Sequence, residues 1–112
     1  MLAHGIIRPS KSPFSARIVM VKKKDTPEPR ICMDYRDLNK ITKFENYPFP
    51  RTHEILKHIG KAKWFSALDL SSGYWQIPMD EFDKKKTAFI SQFGTYEFNW
   101  MSFGLMCTPA TF

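Results

Sequence analysis

Trp64-Phe65-Ser66-Ala67-Leu68-Asp69-Leu70 is an apolar run carrying one carboxylate, and Ser71-Ser72-Gly73 breaks it immediately afterwards. Its length and bounding residues read as a buried strand. On a strand Asp69 shares a face with Phe65 and Ala67, because side chains alternate sides. An ionised carboxylate in such a run needs a partner or a metal, since desolvation is costly. Two readings stay open. Asp69 is a ligand for magnesium in phosphoryl transfer, held rigidly at a strand end, or it is an N-cap for the turn at Ser71 and Ser72.

Downstream, Tyr74 to Ile77 leads into Pro78, and Asp80 to Lys86 reads as a polar loop or helical turn. Thr87–Ser91 and Tyr96–Trp100 read as strands joined across Phe93-Gly94-Thr95 into a hairpin. Upstream, Ile55, Leu56 and Ile59 have helical spacing within Arg51–Ile59, with Gly60 as the stop; Asn46 to Pro50 is extended. Ala16–Val21 and Arg30–Tyr35 read as a hairpin whose turn is forced by Thr26-Pro27-Glu28-Pro29, and Asp34 to Asn39 as a helical turn. Gly5 reads as the residue closing a helix that would lie mostly upstream of Met1. Thr108 and Pro109 read as the N-cap and first position of a helix that begins at the other end. Both ends therefore read as cuts.

The 112 residues leave room for one domain, and 43% hydrophobic with 25% charged residues is ordinary globular usage. A net charge of +6 favours a polyanionic partner. No apolar run approaches the ~20 residues that span a bilayer, and there is no signal-peptide core, so a membrane is not expected among the partners. Cys32 and Cys107 stand far apart without a CxxC partner, which argues against zinc or a disulfide framework and for a reducing compartment.

Four basic residues, Lys22, Lys23, Lys24 and Arg30, fall on the rim of the first hairpin. On one concave face they suit a triphosphate; a solvated charge run is the commoner meaning of such a cluster. Lys84-Lys85-Lys86 carries that solvated reading alone. Tyr74, five residues after Asp69, either stacks beneath a sugar or fills the core. His4, His53 and His58 are scattered and assigned no site. Trp64, Phe65, Phe89, Phe98 and Trp100 read as core.

Several phrases occur in a fixed order: Gly5-Ile6-Ile7-Arg8-Pro9-Ser10, Val21 to Asp25 (VKKKD), Arg30 to Thr42 (RICMDYRDLNKIT), Tyr47 to Arg51 (YPFPR), Phe65 to Ile77 (FSALDLSSGYWQI), Lys86 to Phe89 (KTAF), Tyr96-Glu97-Phe98, and Met101 to Phe112 (MSFGLMCTPATF). Together they resemble the reverse transcriptase of gypsy-like long-terminal-repeat retrotransposons, part of a Pol polyprotein, over essentially the whole chain. The resemblance implies an α+β fold of reverse-transcriptase type, with fingers over about residues 1–63, the start of the palm over about 64–112, and an incomplete antiparallel palm sheet with flanking helices.

The same resemblance implies roles. Asp69 matches the first catalytic aspartate and, with the backbone carbonyl of Leu70, a contact to Mg2+, with Mn2+ as the alternative ion. Lys23 and Arg30 match residues that grip the incoming deoxynucleoside triphosphate, Tyr74 the steric gate beneath its sugar, and Phe103 and Gly104 the loop lining its pocket. Arg36 and Asn39 match residues near the template strand. The implied partners are an RNA or DNA primer–template, deoxynucleoside triphosphates and the remainder of the Pol polyprotein. The implied location is intracellular, in the cytoplasm within a retroelement particle.

Departures also carry expectations. The family reads Pro at Ser102, and Asn then Ala at Cys107 and Thr108, so Ser102 is expected to loosen a rigid turn. The family's paired aspartates, in a Tyr-x-Asp-Asp turn, are not in this sequence, and a two-metal site needs several oxygen ligands to hold ions about 3.5–4 Å apart. The isolated chain is thus expected to be inactive. The rival reading is a non-catalytic basic nucleic-acid-binding remnant of a retroelement.

Overall fold

The computed structural model describes residues 1–22, 29–44 and 47–112. Strands β1 (Ile7–Pro9), β4 (Phe89–Ser91) and β5 (Gly94–Phe98) form an antiparallel sheet in the order β1-β5-β4, and β2 (Arg17–Lys22) pairs with β3 (Pro29–Asp34) as a separate antiparallel hairpin. Four short helices complete an α+β chain: α1 (Arg36–Ile41), α2 (Thr52–Ile59), α3 (Glu81–Lys84) and α4 (Thr108–Thr111). Both expected hairpins are present. In the first, Arg17 faces Asp34 and Val21 faces Arg30. In the second, Phe89 faces Tyr96. The two hairpins meet where Ala16 donates its N–H to the Ala88 carbonyl and accepts from Ile90 N. Strand β1 pairs with β5, Ile7 opposite Phe98, so one sheet draws strands from both sides of residue 63.

The core lies between this sheet and the base of the first hairpin: Met33, Tyr35, Phe89, Phe98 and Leu105, flanked by Ile7, Ile18, Leu38 and Tyr96. Phe89 and Phe98 are where an alternating strand places them, on the covered face. Their rings lie 5.4 Å apart. Polar groups inside this core are paired, as low dielectric requires. Tyr35 donates its hydroxyl to the Thr87 carbonyl at 2.8 Å, and Thr87 Oγ1 accepts the Phe98 N–H at 2.9 Å. Burial raises the Tyr35 hydroxyl well above its ordinary pKa, partly offset by the neighbouring Ser102 hydroxyl. The buried Glu97 carboxylate accepts from Arg8 Nε at 2.7 Å and from the Ser10 hydroxyl, which ties β1 to β5 through side chains as well as backbone.

The expected strand over Trp64–Leu70 does not form. The segment is unpaired, and Trp64, Phe65 and Leu68 are 91%, 67% and 95% exposed. A buried strand needs a ladder neighbour and an apolar cover, and among the described residues no strand pairs with it. Trp64 and Phe65 are accordingly not core residues, and Trp100 is only half-buried. Helix α2 likewise exposes Ile55, Leu56 and Ile59; Gly60 caps it with φ −59°, so this stop does not use the left-handed backbone that favours glycine. Gly5, at φ +65°, does use it, closing a turn onto the Leu2 carbonyl. The radius of gyration is 17.3 Å, against about 13 Å for a compact domain of 100 residues. The elongated chain therefore leaves much of its apolar surface uncovered. Among the described residues, no helix is long and apolar enough to cross a membrane.

Candidate nucleotide-side cleft

The turn after the apolar run builds the site. Ser72 takes a left-handed conformation (φ 52°) and opens a 3-10 turn over Gly73–Gln76, which Gln76 Nε2 braces by donating to the Ser71 carbonyl. That turn has no side-chain cap, so Asp69 is not its N-cap. It swings the Tyr74 ring against Phe103, centroids 4.9 Å apart, with Phe112 edge-on at 5.3 Å. A Cβ on Gly73 would lie 2.7 Å from Phe112 Cζ, so any larger residue here would displace the Phe112 ring. Leu68, Asp69, Leu70, Gly73, Tyr74, Phe103 and Phe112 line an open cleft of about 360 Å³. Thus four residues singled out in sequence (Asp69, Leu70, Tyr74 and Phe103) meet at one place. Asp69 reaches it from an extended loop rather than from a strand.

Gly104 sits at φ +92° behind Phe103, where a Cβ would approach the Met33 carbonyl to 3.4 Å, so the loop packs closely on the end of β3. The middle of that loop is gripped by Asn39: Nδ2 donates to the Gly104 carbonyl at 2.8 Å, and Oδ1 accepts from Met106 N at 2.9 Å. Asn39 therefore uses both ends of its amide on the protein, which sequence reasoning missed because its partners lie 65 and 67 residues away. Phe112 was missed for the same reason.

Ser102, expected to loosen this region, is 2% exposed and engaged, its hydroxyl donating to the Phe103 carbonyl and its own carbonyl accepting from Thr108 Oγ1. Thr108 is not the N-cap of α4; Cys107 is, and Thr108 opens the helix with Pro109 next.

The other candidates stand apart from the cleft. Arg30 is exposed on β3 opposite Val21, while Lys23 and Lys24 lie outside the described residues. Arg36 opens α1 and forks onto Asp34, with Nε–Oδ1 at 2.8 Å and Nη2–Oδ2 at 2.7 Å, yet its side chain stays 85% exposed. This bidentate geometry leaves the outer edge of the guanidinium free for an anion. Lys84 and Lys86 pair with Glu81 and Asp83 one turn away; the Lys86 pair is open to solvent, whereas the Lys84 side chain is largely covered and departs from the solvated reading.

The hydrogen bonds from Arg36, side chain first and backbone second, lower the Asp34 carboxyl to about 2. A depressed carboxylate contributes stability above its ordinary value of 3.8 and loses it as pH falls through 2. The Asp34 carboxyl carbon followed by NMR is accordingly expected to show no titration step between pH 7 and pH 4 and a step near pH 2. An ordinary midpoint near 3.8 would show that the fork does not persist in solution.

Among the described residues no three His, Cys, Asp or Glu side chains converge. Magnesium is usually held by one or two carboxylates plus substrate phosphates and water. Among the described residues, Asp69 is the one carboxylate that lines the cleft.

The family model for reverse transcriptase (RNA-dependent DNA polymerase) matches residues 21–112. The chain is 44% identical over its whole length to the retrovirus-related Pol polyproteins from transposons 297 and gypsy of Drosophila melanogaster, of which it spans 11%. A foamy viral protease–reverse transcriptase in complex with double-stranded DNA shares the fold with a TM-score of 0.86 at 28% identity, over 99% of this chain and 19% of that one. The chain belongs to the reverse transcriptase family of retroelement Pol proteins. It spans about a tenth of the length of the polyproteins it matches.

Proposed function

We propose that this chain supplies the fingers and the first part of the palm, meeting near residue 63, of a retrotransposon RNA-directed DNA polymerase. The cleft that unites Asp69, Leu70, Tyr74 and Phe103 carries this reading. In the whole enzyme a primer 3′-hydroxyl attacks the α-phosphate of a deoxynucleoside triphosphate, and pyrophosphate leaves.

Asp69 and the Leu70 carbonyl would hold the divalent ion, magnesium by preference and manganese as the alternative. When bound, that ion neutralises charge on the reacting phosphates. The companion carboxylates come from the rest of the polymerase. Tyr74, held edge-on by Phe112 and backed by Phe103, offers its face to the sugar. Phe103 walls the pocket, and Gly104 behind it lets the loop that presents Phe103 pack on the end of β3. Arg30, with Lys23, neutralises the triphosphate from the fingers, and Arg36 offers its free guanidinium edge to a template phosphate. Asn39 acts on the template side through the loop it holds. The setting is the cytoplasm, with the remainder of the Pol polyprotein and an RNA or DNA primer–template as partners.

Tyr74 gives the sharpest test of the pocket. The ring fills the space a 2′-hydroxyl would enter, so Tyr74→Val is expected to improve ribonucleotide use relative to deoxynucleotide use by about tenfold or more. The kcat/KM ratio for the two sugars measures it, in transposon 297 polymerase carrying this chain in place of its matching residues. An unchanged ratio would remove Tyr74 from the sugar site.

A further inference from the structure

The loop that presents Phe103 to the cleft is shaped by buried polar groups at its two ends. Ser102 and Thr108 are 2% and 1% exposed. Between them Phe103 is half exposed at 50%, while Leu105 turns inward at 9%. Thr108 Oγ1 donates to the Ser102 carbonyl at 3.1 Å, and Thr108 N donates to the Leu105 carbonyl at 3.3 Å. The first of these bonds spans six residues and closes the loop into a ring; no helix or sheet ladder requires it. A threonine hydroxyl this deeply buried is costly unless paired, and the acceptor it finds is the residue that immediately precedes Phe103. Asn39 grips the ring's middle at Gly104 and Met106.

We propose that Thr108 is a positioning residue: its hydroxyl latches the 102–108 loop shut and so sets the Phe103 ring against Tyr74. The consequence for an incoming nucleotide rests on the polymerase reading above; the latch itself does not. Without the hydroxyl, the Ser102 carbonyl is left buried and unsatisfied, and the loop relieves this by opening toward water. Phe103 then withdraws from Tyr74, and the pocket wall is lost while the sheet behind it stays intact.

Thr108→Val keeps the shape and removes the hydroxyl, and Thr108→Ser keeps the hydroxyl. Amide hydrogen exchange on the 112-residue chain is read at Met106 and Thr108, whose N–H groups lie within the ring. The valine variant is expected to exchange about tenfold faster there, with parental rates in the serine variant and unchanged rates across β4 and β5. Equal rates at Met106 and Thr108 in parent and valine variant would overturn the latch. So would acceleration spread evenly over β4 and β5, since Thr108 would then be ordinary core.

In transposon 297 polymerase carrying this chain, the valine variant is expected to raise the deoxynucleotide KM about tenfold at unchanged kcat and primer–template affinity, again with rescue by serine. Faster exchange with an unchanged KM would confirm the latch and overturn its nucleotide role. Thr108→Ala replaces valine in both experiments if the valine variant does not fold.

Discussion

Asp69→Asn, in a transposon 297 polymerase that carries this chain, is expected to slow nucleotide addition by about a thousandfold while leaving the protein folded and primer–template bound. Asp69 is exposed, lies on an unpaired segment and caps no turn, so an isosteric neutral side chain removes charge and little else. Exposed substitutions of this kind stay within about 0.5 kcal/mol of parental stability. The effect must therefore appear in the chemical step. Single-turnover incorporation, with primer–template affinity measured in parallel, separates the two. A loss of affinity with a normal chemical step would make Asp69 a docking residue instead.

Phe98→Ala is expected to cost about 3–5 kcal/mol. Phe98 is 2% exposed, packs on Phe89, and sits on the strand between β1 and β4, opposite Ile7. Its loss opens a cavity where the sheet and the base of the first hairpin meet. Natural domains hold only about 5–15 kcal/mol in total, and a chain as elongated as this one has little apolar burial in reserve. A cooperative thermal transition followed by circular dichroism should disappear or fall sharply. A shift equivalent to less than about 1 kcal/mol would mean that the core lies elsewhere.

Local signals in the sequence were legible where the structure satisfies them locally. Pro27 and Pro29 between β-branched runs announced the first hairpin, and Gly94 the second; both formed in antiparallel register. Trp64–Leu70 shows the converse. Its residues have strand propensity, but a strand is a property of two neighbours, and among the described residues this one has no partner. Propensity gave the segment's preference and could not supply its pairing.

The site divides in the same way. Tyr74 and Asp69 are close in sequence, so one turn suffices to bring them together. Phe112, Asn39 and the Thr108–Ser102 bond enter the cleft's architecture through tertiary contacts, which no spacing rule encodes. Thr108 was the more misleading because threonine before proline is a good cap signal. Its hydroxyl instead donates to a buried carbonyl six residues back, where satisfying that carbonyl outweighs capping a four-residue helix.

Primer extension on two proteins tests whether this chain is part of a polymerase: the purified 112-residue chain, and transposon 297 polymerase with this chain grafted over its matching residues. No incorporation is expected from the chain alone, because among its described residues one carboxylate lines the cleft where two ions need several oxygen ligands. Divalent-ion-dependent extension is expected of the graft, abolished by Asp69→Asn. Incorporation by the isolated chain, or undiminished extension by the Asp69→Asn graft, would contradict the polymerase reading.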